Sequence, residues 1–141
     1  MATGQTLLTL ASIVLLAIIS MSIRSMYTQS VHNTVDSQLT SDALNFGRDL
    51  SEEIHSYAFR YTELDGVYGS KNDVTHPNTR IEFTPQVGVT FYATIELSAE
   101  QELKHGQDGR IVTIHIFEEQ REDEFEQVAE YVTTVFNLNP N

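Results

Sequence analysis

The amino-acid sequence predicts an α+β fold, in which a long N-terminal helix packs on a small antiparallel sheet of three to four strands. Three observations lead to this prediction. Residues Gly4 to Ile23 are uncharged and mostly apolar. From Tyr27 to Tyr57, apolar residues recur every three or four positions, which is the period of a helix. After residue 86, two stretches alternate between apolar and polar residues, as half-buried strands do.

The first element is the apolar stem, to which residues 5–26 are assigned. Within it, Leu7 to Ile23 is 17 residues long and has neither a charge nor a proline, and Arg24 is the first charged residue of the chain. A helix of about 17 to 25 apolar residues is long enough to cross a bilayer. A cleaved secretory signal would carry basic residues before its apolar run, and residues 1–6 contain none. The stem therefore predicts a helix that is inserted in a membrane or buried against other apolar helices.

After the stem, the apolar residues narrow to a stripe. Its members are Tyr27, Val31, Val35, Leu39, Ala43, Phe46, Leu50, Ile54 and Tyr57. No proline occurs before Pro77, and the interior Gly47 costs a helix about 1 kcal/mol relative to Ala. We expect one helix from about Gln5 to about Phe59, with residues 27–60 as its amphipathic part. After about Val35, the stripe is expected to pack on the protein's own sheet.

Residues 61–141 predict the sheet domain. Arg60 to Gln86 is rich in Gly, Pro, Asn and Asp, and is expected to be irregular apart from a short edge strand at Ile81-Glu82-Phe83. Val87 to Leu97 and Arg110 to Glu118 alternate and predict two strands.

The segments between the predicted strands are recognised by their turn-forming and charged residues. Ser98 to Gly109 predicts a loop that ends in the turn signal Asp108-Gly109, and Glu119 to Glu124 predicts a charged turn.

The segment from Phe125 to Phe136 fits two structures. Phe125, Val128, Val132 and Phe136 would line one face of a helix, whereas the run from Tyr131 to Phe136 is rich in strand-forming residues. We predict a strand, because it can pair antiparallel with residues 110–118. Residues 137–141 are expected to be loose.

Charge and cysteine content exclude several functions. The formal net charge is −12; residues 1–35 contain Arg24 and no acid, so residues 36–141 hold 7 basic and 20 acidic side chains. Such a surface repels the phosphates of nucleic acids, so no nucleic-acid partner is expected. The chain has no cysteine, which excludes disulfides, thiol chemistry and thiolate metal sites.

No motif of an enzyme is recognisable. The five histidines lack the HExxH spacing of a zinc site, and there is no phosphate-binding glycine loop or nucleophile elbow. The acidic run from Glu118 to Glu130 is interpreted as a solvated hairpin turn, with a weak calcium site at Glu122, Asp123 and Glu124 as the alternative. Asp65, Asn72 and Asp73 are a second, weaker set of calcium candidates, and neither set has EF-hand spacing. We therefore expect a protein without catalytic residues and without a cofactor.

The order of these segments resembles the type IV pilin and pseudopilin superfamily, in its divergent bacterial pilin-like branch. The residues that carry the resemblance are a short leader ending in Gly4, the apolar start Gln5-Thr6-Leu7-Leu8-Thr9-Leu10, the long helix, and a terminal pair of strands. The resemblance implies that a prepilin peptidase cuts the leader, residues 1–4, between Gly4 and Gln5. It also implies that an assembly platform moves the subunit from the inner membrane into a filament.

The resemblance also assigns residues to assembly. The stem residues that would contact neighbouring copies are Leu8, Thr9, Ile13, Leu15, Leu16 and Ile19. Family members usually have an acid at the position of Thr9, which neutralises the amino terminus of a neighbour in the apolar core. Without that acid the amino terminus must lose its charge or stay in water, and cyclisation of an N-terminal Gln5 to pyroglutamate would remove it.

The resemblance and the composition together predict a structural subunit of an extracellular or periplasmic filament, a homopolymer held together by its N-terminal helices. A second interpretation stays open, in which the chain is a monomeric, single-pass membrane-anchored binding or scaffold domain.

Overall fold

The computed structural model describes residues 2–85, 88–104 and 106–138. Its helices are α1, Ala2–Ser56; a 3-10 helix, Tyr57–Glu63; α2, Leu64–Tyr68; and a 3-10 turn, Pro77–Thr79. Its strands are β1, Ile81–Phe83; β2, Phe91–Leu97; β3, Gln101–Lys104; β4, Gln107–Arg121; and β5, Glu124–Phe136. The chain divides after Gln38 into an N-terminal and a C-terminal unit. The fold is α+β, as the sequence predicts.

The sheet of the C-terminal unit is antiparallel and is built around β4. Strand β2 and the short β3 pair with one edge of β4, and β5 pairs with the other edge along almost its whole length. At Gly109, β4 lies between two strands, because this residue pairs with Gln101 of β3 and with Phe136 of β5. Strand β1 pairs with the free edge of β2.

The core lies between one face of this sheet and the C-terminal part of α1. On the sheet side, Val112, Ile114 and Ile116 of β4 are fully buried. On the helix side, the buried residues are Ala43, Phe46, Leu50 and Ile54, with Leu39 and Tyr57 packed at the margins. Each large apolar side chain buried in this way contributes about 1.5–3 kcal/mol. The prediction that the stripe packs on the sheet after Val35 is confirmed.

The helix ends earlier than predicted, and the segment after it is more regular than predicted. The α-helix stops at Ser56, and Arg60, at φ −120° and ψ 42°, breaks the following 3-10 helix. The 3-10 helix and α2 bring Tyr61, Leu64 and Tyr68 into the core, where each is buried. The expectation of an irregular chain from Arg60 onward was therefore wrong for residues 60–68, where apolar residues still recur at helical spacing.

The loop expected between Ser98 and Gly109 contains a strand, so the sheet has five strands. β3 forms because the chain reverses at Gly106, which has φ +76°, and returns along the start of β4. Gly109 belongs to β4 and not to a turn. A Cβ atom there would lie 2.6 Å from the Val135 carbonyl oxygen and 2.7 Å from Leu103 Cδ1, so the close approach of neighbouring strands requires glycine.

Two other strand boundaries differ from the predictions. β2 begins at Phe91; Gln86 and Val87 lie outside the described residues. β4 extends to Arg121, so the predicted charged turn shortens to Glu122 and Asp123.

At the C-terminal end, two tail residues are held by backbone hydrogen bonds. The Asn137 N–H donates to the Asp108 carbonyl (2.8 Å), and the Leu138 N–H donates to the Ala58 carbonyl (3.1 Å). The tail is therefore anchored up to residue 138, and residues 139–141 lie outside the described part. The strand prediction for residues 125–136 is confirmed by β5.

Candidate assembly surface

The stem is continuously α-helical, and its apolar side chains are exposed. Among the predicted assembly residues, Leu8 is 71% exposed and even the least exposed, Ile19, is 47% exposed. The others, Thr9, Ile13, Leu15 and Leu16, are exposed as well. In the described part of the chain, α1 is the one helix long and apolar enough to cross a membrane. The predicted assembly residues occupy about half of the helix circumference, and the exposed Leu7, Leu10, Val14 and Ile18 occupy the other half, so the stem presents apolar side chains on every side.

Several hydroxyl groups of the stem are satisfied by the helix itself. Thr9 Oγ1 donates to the Gln5 carbonyl, Ser12 Oγ donates to the Leu8 carbonyl (2.9 Å), and Ser22 Oγ donates to the Ile18 carbonyl (2.9 Å). Hydroxyls that bond back to the preceding turn need no water. The stem therefore tolerates an apolar environment despite its Ser and Thr residues.

The predicted processing residues lie within the first turns of α1. Gly4 and Gln5 are both helical and exposed, and a Cβ atom added at Gly4 would meet no atom within 4 Å. The peptide bond between them is thus at the surface of the N-terminal unit, and the cleavage itself stays a prediction.

The apolar stripe has two different environments. From Ala43 to Ile54 its members are buried under the sheet, whereas in the N-terminal unit Tyr27 is 72% exposed, Val31 45% and Val35 51%. We call Tyr27, Val31 and Val35 the uncovered stripe. It is an apolar surface that the described part of the protein does not cover.

The acidic hairpin between β4 and β5 does not form a calcium cage. Asp123 occupies the turn with φ 61°, and its N–H donates to Glu119 Oε1 (3.4 Å). In the described part of the chain, no group of three or more His, Asp or Glu side chains is placed to hold a metal ion. Glu122, Asp123 and Glu124 thus lie in a solvated turn.

The weaker calcium candidates have structural partners instead. Asp65 forms an ion pair with Arg110 of β4. Asp73 accepts hydrogen bonds from Thr75 Oγ1 (2.6 Å) and from the Thr75 N–H (2.9 Å). The hydroxyl bond first and the N–H bond second hold the pKa of the Asp73 carboxyl below its usual value. Asp65 therefore links α2 to β4, and Asp73 stabilises the loop before β1.

Three buried tyrosines connect the helices and strands of the C-terminal unit. Tyr68 Oη donates to Glu53 Oε1 (2.9 Å) and Tyr92 Oη donates to Glu119 Oε2 (3.1 Å). Burial, and then the neighbouring carboxylate, raises the pKa of each of these phenols above the ordinary value. Burial also raises the pKa of Tyr61, whose ring lies beside the Arg110 guanidinium. The tyrosines are therefore neutral packing residues and not proton-transfer groups.

A shallow groove lies on the sheet face that points away from α1. Its lining residues are Asn72, Thr94, Ile95, Glu96, His115, Phe117 and Gln127. His115 Nε2 lies 3.7 Å from Glu96 Oε2, and His115 Nδ1 lies 3.5 Å from Glu130 Oε2. Because the two carboxylates face different ring nitrogens, a single metal ion cannot bind all three groups. The sequence gives no sign of this cluster, since it depends on strand register.

A cation–π stack lies on the same face of the sheet, near the turn between β4 and β5. The Arg80 guanidinium lies 4.0 Å from the centre of the Tyr92 ring and 5.3 Å from that of Phe125. Arg80 Nη1 also donates to the Val74 carbonyl (3.0 Å). These contacts fix the loop before β1 to the sheet.

Comparisons with known proteins found no match to this chain among family models, curated proteins or solved structures.

Proposed function

We propose that this protein is a pilin-like structural subunit of a helical extracellular or periplasmic filament, assembled through its apolar N-terminal helix. The stem would hold the precursor in the inner membrane and would then bury itself against the stems of neighbouring copies. A prepilin peptidase acting between Gly4 and Gln5 and an assembly platform are the partners this function requires. Neither a cofactor nor a catalytic residue is part of the proposal.

The observation that carries the proposal is the uncovered stripe. At 1.5 Å per residue, Val31 lies about 12 Å and Val35 about 18 Å beyond Ile23 along the helix. The polar headgroup layer of a bilayer is only about 5–7 Å thick on each side. A bilayer core of about 30 Å is about 6 Å longer than Leu7 to Ile23, so the headgroup layer ends near Val31 at the furthest and leaves Val35 in water. A neighbouring copy of the helix would cover Val35.

The stem supports the same proposal. Its apolar side chains are exposed around the whole helix, as a filament core with neighbours on several sides requires. The C-terminal unit has its own core and a strongly acidic composition, which suits a domain displayed in water.

The second candidate is a monomeric membrane-anchored binding domain. The groove around His115 favours it, because the groove offers charged, amide and aromatic groups on an open surface. In that case the helix would serve only as an anchor, and the uncovered stripe would have no partner.

Substitution within the stripe separates the two candidates. Val31→Asp places a charge on the uncovered stripe, whereas Ser30→Asp places the same charge one residue earlier, about 100° around the helix. For a filament subunit we expect Val31→Asp to lower the assembled fraction at least tenfold and Ser30→Asp to retain it. Electron microscopy and sedimentation of material sheared from cells measure this fraction. Wild-type protein that is found only as a detergent-extracted monomer would reject the filament.

A further inference from the structure

Arg24 lies in line with the uncovered stripe. It precedes Val31 by seven residues, which is two turns of helix, so both side chains leave the same side of α1. It is also the first residue after the apolar run and is exposed. A surface that covers the stripe therefore also covers Arg24.

A covered guanidinium needs an anion, because a charge removed from water without a partner is costly. In the membrane-inserted precursor, Arg24 follows directly after Ile23 and can reach lipid phosphates. Assembly removes those phosphates. The chain itself must then supply the anion if stems pack against stems.

Asp36 is the one acidic residue of residues 1–38. It follows Arg24 by twelve residues, which corresponds to about 18 Å along the axis and about 120° around it. The two charges of one helix are therefore too far apart to pair with each other, and they lie on different sides.

We infer that Arg24 of one copy pairs with Asp36 of the next, and that this pair fixes a parallel stagger of about 18 Å between neighbouring helices. The inference rests on the proposed filament function and names its register. A contact between two different sides of the same helix is heterologous, so it repeats from copy to copy and produces an open polymer instead of a closed dimer.

The absence of cysteine makes a direct test available. In the full chain, Arg24→Cys combined with Asp36→Cys removes both charges and introduces two thiols. A disulfide requires Cα atoms about 4.4–6.8 Å apart, so the two thiols of one helix cannot join. After oxidation of assembled material, we expect a ladder of covalent dimers, trimers and longer species on a non-reducing gel.

Matched variants control for chance collisions. Arg24→Cys combined with Ser37→Cys moves the second thiol by one residue and about 100° around the helix, and the ladder is expected to disappear. Each single-cysteine variant is expected to give no species longer than a dimer. An equal ladder from the shifted pair would overturn the inference.

Charge exchange provides an independent test. Arg24→Asp and Asp36→Arg are each expected to lower the assembled fraction at least tenfold, and the double exchange is expected to restore it. If wild-type filaments form while neither the ladder nor the restoration is seen, the stagger is wrong and the filament function stands. If wild type forms no filaments, the proposed function itself fails. If Arg24→Gln only weakens binding to phosphatidylglycerol vesicles and leaves assembly unchanged, lipid phosphate is the partner and the pair is rejected.

Discussion

Gly47 of α1 lies directly against Ile116 of β4. A Cβ atom at Gly47 would be 2.8 Å from Ile116 Cδ1 and 3.2 Å from Tyr131 Cβ. Gly47 weakens α1 as an isolated helix, but the lack of a side chain lets α1 pack closely on the sheet. Ile116 is fully buried beneath the helix.

We expect Gly47→Ala to lower the free energy of unfolding by up to about 2 kcal/mol, because overpacking outweighs the gain of about 1 kcal/mol in helix propensity. Gly66→Ala is the matched control, since a Cβ atom at Gly66 of α2 meets nothing within 4 Å. It is expected to stabilise the protein by up to about 1 kcal/mol. Urea unfolding followed by circular dichroism measures both values. A stabilising Gly47→Ala would show that the helix and sheet are not in close contact.

A charge in the middle of the stem tests whether the stems form a buried core. Leu15→Asp is expected to abolish filaments, because an unpaired buried carboxylate costs several kcal/mol. Val132→Asp on β5 makes a comparable change at a residue of similar exposure, 56% against 59% for Leu15. This control is expected to assemble normally, and electron microscopy of both variants decides. Normal filaments from Leu15→Asp would contradict a core made of stems.

The C-terminal unit is expected to fold without the stem. A shortened chain that begins at Thr28 retains the whole sheet and the buried part of α1. It is expected to be monomeric in sedimentation without detergent, whereas the full chain requires detergent or forms polymers. A full chain that stays monomeric without detergent would contradict the role given to the stem.

Alkaline pH is expected to destabilise the C-terminal unit. Because the pKa of Tyr68 is raised in the folded state, its contribution is fully present below the ordinary phenol pKa of about 10 and is lost as the pH rises above it. Tyr68→Phe should cost about 1 kcal/mol at pH 8 through loss of the Glu53 hydrogen bond, and it should flatten the decline between pH 9 and 11. Unfolding free energies across this range measure the effect, with Tyr27→Phe of the N-terminal unit as control. An unchanged slope in Tyr68→Phe would assign the decline to other groups.

The sequence predicted those elements in which a periodic pattern of apolar residues extends over a long stretch of the chain. The stem, the stripe and the alternating strands β2 and β4 extend over many residues, so their patterns are clear. The segment of β5 fitted both a helix and a strand; the strand was predicted because it could pair antiparallel with residues 110–118, and its pairing with β4 confirms that prediction. The burial of Ala43 to Ile54 follows from the same periodicity.

The rest depends on contacts between distant residues. Asp108-Gly109 has the composition of a turn, yet Gly109 is required by the approach of Leu103 and Val135. His115 meets Glu96 and Glu130 only because three strands adopt one particular register. A pattern read along the chain carries no information about such distances.

The internally bonded hydroxyls of the stem have a consequence for how this helix changes its surroundings. Ser12 and Ser22 keep their hydrogen bonds within α1 whether the helix lies in hydrocarbon or against protein. If the helix moves from a bilayer into the proposed filament, the move breaks none of these bonds. The partition of the stem between lipid and neighbouring stems would then be governed by how closely the side chains pack, and its direction would depend on the local concentration of neighbouring stems.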